Sequence, residues 1–140
     1  MKYAQWISVL MILLVPVIAV AQLQDSDRIA AQVPFKFMVA NAVVPAGECS
    51  IQRVDPAGSV LVITNHNART NLFATASQGM SKKAAASYAM VFHRYGDRYF
   101  LEALKLEGSR TVYTLNESKL EKELRAQNTP VTEEILLATK

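Results

Sequence analysis

Two runs of aromatic and β-branched residues, Tyr88 to Tyr95 and Arg98 to Leu104, flank the dipeptide Gly96-Asp97. A two-residue connection of this kind suits the primed turns, whose twist matches that of two antiparallel strands. The segment therefore predicts a β-hairpin in one register, with Phe92 facing Leu101 and His93 facing Phe100. Met90, Phe92, Tyr99, Leu101 and Ala103 then share an apolar face assigned to the core. Val91, His93, Tyr95, Arg98, Phe100 and Glu102 share the other. That second face is amphipathic, so it calls for a covering element or is itself a binding surface.

The rest of the chain reads as further short strands. Phe35, Phe37 and Val39 alternate with Lys36 and Met38, with Pro34 tolerable only at a strand start or edge. Pro45 to Glu48 and Asp55 to Gly58 read as turns around an extended Cys49 to Val54. Val60 to Ile63 and Thr70 to Ala76 follow as strands, then a polar connection from Ser77 to Lys83. Thr111 to Leu115 is a short strand after a turn at Glu107 to Arg110. The period changes at Ser118, where Ser118 and Glu121 fit a capping box, Leu120 and Leu124 sit at i and i+4, and Glu121 precedes Arg125 as an ion pair. A helix from Ser118 to Gln127 is expected, stopped by Asn128-Thr129-Pro130. Val131 to Ala138 suits a terminal strand, though Glu133-Glu134 also permits a helical turn. Strands and helices do not alternate, which disfavours a doubly wound sheet. The expected class is all-β, a mainly antiparallel β-barrel or β-sandwich with one short C-terminal helix.

Composition matters at the N-terminus. Of the whole chain 51% is hydrophobic, but Met1 to Ala21 holds a disproportionate share. Without it the fraction falls to about 45%, ordinary for a globular domain. Lys2, the apolar Trp6 to Val20 and the small residues Ala19-Val20-Ala21 form the three parts of a secretory signal, with cleavage expected before Gln22. The apolar stretch is shorter than the roughly 20 residues a membrane span requires. The expected organisation is a signal peptide over 1–21, a flexible lead-in over 22–32 and a single β-rich domain over 33–140. This predicts a periplasmic or secreted protein with no transmembrane span after cleavage. Loss of Lys2 takes the formal net charge from +3 to +2, too small a surplus to suggest nucleic acid. Cys49, the one cysteine, is either a buried small hydrophobe or a reactive thiol able to link a dimer, and its extended setting favours burial.

Catalytic and metal motifs are not visible. His66 and His93 are far apart in sequence, no zinc-like ligand spacing occurs, and there is no nucleophile elbow or phosphate-cradling glycine motif. No metal and no cofactor are expected. The richest cluster is His93, Arg94, Tyr95, Arg98 and Tyr99, around Asp97. These residues suit a platform for a sugar, carboxylate or peptide. They equally suit a stacked and ion-paired hairpin end that fixes the turn.

Val33-Pro34-Phe35-Lys36-Phe37, Pro45-Ala46-Gly47-Glu48 and Val91-Phe92-His93-Arg94-Tyr95-Gly96-Asp97-Arg98-Tyr99-Phe100-Leu101 resemble short exported bacterial proteins. These share a signal peptide, a Val-Pro-Phe-x-Phe start, a Pro-Ala-Gly-x-Tyr turn and a hairpin of this kind. The resemblance spans Val33 to about Arg125 and implies export, with no activity, cofactor or site attached. Cys49 stands where that pattern tends to carry an aromatic, which implies a packing position. The expectation is an exported, non-catalytic binding or envelope-associated module, partnered by a small ligand or envelope component. The alternatives are a lipocalin-like carrier with an internal cavity, and a small hydrolase using His93.

Overall fold

The computed structural model describes residues 28–140; the expected signal peptide, its cleavage site and the lead-in up to residue 27 lie outside the described residues. Ten strands and one helix follow: β1 Ile29–Val33, β2 Phe37–Val39, β3 Ala42–Val44, β4 Gly47–Arg53, β5 Val60–Asn65, β6 Thr70–Met80, β7 Ala89–Tyr95, β8 Arg98–Lys105, β9 Thr111–Leu115, α1 Lys119–Ala126 and β10 Thr132–Leu137. The protein is all-β with one short C-terminal helix.

The strand path closes on itself. Antiparallel ladders join β1 to β4, β4 to β5, β5 to β6, β6 to β9, β9 to β8, β8 to β7 and β7 to β10. Just after β10, Thr139 exchanges reciprocal backbone hydrogen bonds with Ala30 in β1, at 2.8 and 2.9 Å. Eight strands thus form a barrel, and closure removes the open edges a sheet would otherwise expose. The small β2–β3 hairpin attaches at β8 through a parallel bridge between Met38 and Phe100.

Strand β3 was not foreseen and β4 starts at Gly47, inside the expected turn; three further boundaries differ from the sequence reading. The first strand starts at Ile29, inside the segment expected to be a flexible lead-in, because Ile29, Ala31 and Val33 alternate inward and pair with β4. Pro34 then ends β1, and Phe37 and Val39 turn inward on a separate strand. Ser77 to Met80, expected in a loop, continue β6. Thr70 to Thr75 pair with β5 and Ala76 to Met80 with β9. Their polarity reflects exposed side chains, since the backbone is fully paired.

One core fills the barrel, with contributions from every barrel strand and from the β2–β3 hairpin. Ile29, Val33, Cys49, Leu61, Met90, Phe92 and Leu104 have no accessible surface. A side chain lining a water-sized void would keep some, so no such void touches these seven. Phe92 packs edge-on against Phe35 and Phe37, at 5.0 and 5.2 Å. Burial, with a smaller push from Glu48, raises the Cys49 thiol to about 11. Cys49 thus sits as the buried small hydrophobe that its extended setting favoured, and its thiol has no surface open to a second copy.

Candidate functional site

The β7–β8 hairpin has the expected register at its tip. Phe92 pairs with Leu101, His93 with Phe100, Arg94 with Tyr99 and Tyr95 with Arg98. Gly96 takes φ +64°, while Asp97 does not enter the left-handed region. This fits a II′ turn, which asks for glycine at its first central position.

A bulge follows. Val91 pairs with Ala103, so Glu102 is an extra residue on β8. Beyond it the alternation reverses: Leu104 joins Met90 and Phe92 in the core, and Ala103 joins Val91 on the outer face. Ala103, expected in the core, is buried on the opposite side. The bulge also turns the Glu102 carboxylate towards His93.

Helix α1 covers this outer face. Ser118 caps the helix as expected, its Oγ accepting from the Glu121 backbone N–H at 3.1 Å. Asn41 Oδ1 accepts from the Lys119 N–H. The Glu121 side chain is not spent on a capping box or on Arg125. It points into the sheet, the one buried residue of the helix, and Arg125 pairs with Glu117 instead.

Glu121 Oε1 lies 3.0 Å from His93 Nδ1 and accepts from Tyr95 Oη at 3.3 Å. Glu102 Oε2 lies 3.5 Å from the same imidazole nitrogen. The Glu121 side chain is 3% exposed, against 25% for His93 and 22% for Glu102. Burial raises the Glu102 carboxyl above the usual carboxylate range; His93 opposes the shift, while Glu121 and Glu117 add to it. Burial and then Glu121 push the Tyr95 hydroxyl up to about 12, so it stays a donor.

Two carboxylates converging on one imidazole make a site that favours a bound proton or cation. The donor atoms of His93, Glu102 and Glu121 lie within 4.8 Å of one another, the one described group that could hold a metal ion. Sequence reading missed it because positions 93, 102 and 121 meet only through a bulge and a docked helix.

The five expected site residues are divided. His93 and Tyr95 face α1 and are engaged with Glu121. Arg94 and Tyr99 lie on the opposite face: Arg94 donates to Gly96 O, sits 5.4 Å over the Tyr99 ring and reaches Glu134 at 3.6 Å. Tyr99 stacks on Phe35, with centroids 3.8 Å apart and planes 12° from parallel. Arg98 is exposed at the tip.

Arg98 and Tyr99 together line a groove of about 290 Å³ with Asp97, Lys36, Met38 and Leu120. Lys36 and Leu120 were outside the expected cluster, since they arrive from the segment before β2 and from α1. A second groove, of about 390 Å³, opens at the other end of the hairpin, between the β6–β7 and β8–β9 connections. His93 lines neither. No family model, curated protein or solved structure matches this chain. No described helix is long and apolar enough to cross a membrane.

Proposed function

We propose that this protein is an exported, non-catalytic module that binds a small ligand or an envelope component in the groove at the tip of the β7–β8 hairpin. One observation carries the reading. Arg98 and Tyr99, two of the five residues singled out by sequence, meet Lys36 in a concavity whose floor includes apolar Phe37 and Leu120. Two cations against the single carboxylate of Asp97, beside an aromatic and an apolar wall, suit a ligand with a carboxylate or other anionic group and a compact apolar part. Export to the periplasm or medium is supported by the signal-like residues 1–21 and by the resemblance to short exported bacterial proteins.

The alternatives have weaker support. A lipocalin-like carrier needs an internal cavity, whereas seven interior side chains touch no void. A hydrolase built on His93 has a carboxylate partner in Glu121. Neither of the two described grooves is lined by His93, so neither offers it a substrate.

Native mass spectrometry of the protein recovered from its own envelope tests the reading. The expected result is a chain starting at Gln22 with a retained small-molecule mass, and loss of that mass in Arg98→Ala. A bare chain, or a mass retained equally by Arg98→Ala, would overturn it.

A further inference from the structure

The groove at the far end of the hairpin has a different character. In sequence, Lys82-Lys83 is a pair of charges in a polar stretch. The fold adds Lys105 from the end of β8, so three lysines line one concavity of about 390 Å³. Ser81 and Ser109 also line it; Ser81 Oγ donates to the backbone carbonyls of Lys83 and Arg110, while Ser109 Oγ accepts from the Thr111 N–H and keeps its own proton to donate. No carboxylate lines the groove, and among the described residues none of the three lysines makes an ion pair. The formal net charge of the chain is +3. Three lysines without ion pairs therefore concentrate in one place a charge that equals the surplus of the full chain and exceeds the +2 expected after loss of Lys2.

The loop that carries the lysines is already held. Ser81 N–H donates to Arg110 O at 2.8 Å, Ala85 N–H to Ser109 O at 2.9 Å and Gly108 N–H to Ala85 O at 2.9 Å. Arg110 Nε donates back to Ser81 O at 3.1 Å. Four bonds tie the two connections rim to rim, so a ligand would bear little of the cost of ordering them. Arg110 is committed to this tie, and no guanidinium lines the groove.

We infer that this groove is a binding site for a phosphomonoester group. A planar carboxylate is best met by the two-pronged arginine fork, whereas separate ammonium ions act as point charges that can surround a tetrahedral dianion. Three lysines and the Ser109 hydroxyl match a phosphate's charge and its several acceptor oxygens. The remaining volume admits a compact organic part against Ala84, Ala85 and Val112. This site is separate from the tip groove, so either can fail alone.

Amide NMR with inorganic phosphate as the probe tests the inference, with chloride at matched ionic strength and acetate as controls. Saturable shifts confined to Ser81–Ala85 and Ser109 are expected. The double variant Lys83→Gln/Lys105→Gln should weaken binding about tenfold or more, because it removes two charge-assisted contacts. Shifts scattered over the surface, equal shifts with chloride or acetate, or an unchanged affinity in the variant would overturn it. Co-sedimentation with phosphatidylcholine vesicles with and without phosphatidic acid separates the sources. Pelleting only with phosphatidic acid, lost in the variant, assigns the group to a lipid headgroup; phosphate binding without pelleting assigns it to a soluble phosphoester.

Discussion

The two faces of the β7–β8 hairpin are built from the same strands and are held by different physics. On the inner face Met90, Phe92, Leu101 and Leu104 are apolar and seal the barrel, with Arg94 and Tyr99 at the tip end. The outer face is almost as buried at Val91, Tyr95, Phe100 and Ala103, yet it encloses an imidazole and two carboxylates under α1. Burial of apolar surface stabilises whatever the pH; a buried carboxylate stabilises only when its partners compensate for lost hydration. The inner face should therefore be a robust fold determinant, and the outer face a tunable clasp for one helix.

The largest effect is expected inside. Phe92→Ala should destabilise by about 3–5 kcal/mol, read from denaturant unfolding, because two neighbouring rings cannot collapse into the space. If the loss is under about 1 kcal/mol, the inner face is not the main determinant and the contrast fails. Glu121→Ala comes next, at about 1–3 kcal/mol, since it removes the acceptor of the Tyr95 hydroxyl and the nearer of the two carboxylates at His93. Hydrogen exchange should locate that loss in α1, with β7 remaining protected; uniform loss would show the helix to be integral to the barrel.

Glu102→Gln should give a smaller change of opposite sign. Burial raises the folded-state pKa of Glu102, so the folded chain binds this proton more tightly than the unfolded chain. Its stabilising contribution is full below the unfolded pKa and is lost as pH rises through the folded one. The variant should accordingly melt higher than the parent at neutral pH, with the gain vanishing in acid. A lower melting temperature at neutral pH would mean that attraction to His93 outweighs burial. The smallest effect belongs to Arg94→Ala. Its pair with Glu134 is 3.6 Å long and over 40% exposed on both sides, so thermal melts should shift by no more than about 0.5 kcal/mol.

The inner face was legible in the sequence because alternation and a two-residue turn are local signals. Gly96-Asp97 set the register at the tip, and Ser118 with the leucines at 120 and 124 marked the helix. The outer face was not legible. One extra residue at Glu102 reverses the alternation, moving Ala103 out of the core and Leu104 in, and no sequence pattern announces a bulge. The Glu121 side chain fits a capping box or a pair with Arg125 equally well by spacing; only the docked helix selects His93 and Tyr95. The same limit hid the lysine groove, since Lys105 joins Lys82 and Lys83 through the β8–β9 turn. Strand β1 was hidden by the polar residues before it, although Ile29, Ala31 and Val33 carry the period-2 pattern.

The central claim is that the polar residues of the hairpin divide into a clasp, His93 and Tyr95, and a ligand groove, Arg98 with Lys36. The direct measurement is one set of single substitutions, His93→Gln, Tyr95→Phe, Arg98→Ala and Lys36→Ala, read by both thermal unfolding and the small-molecule mass retained from the envelope. The first two should lower the melting temperature and leave the retained mass in place, and the last two should do the reverse. Loss of the retained mass in His93→Gln, with Arg98→Ala and Lys36→Ala unaffected, would contradict the division.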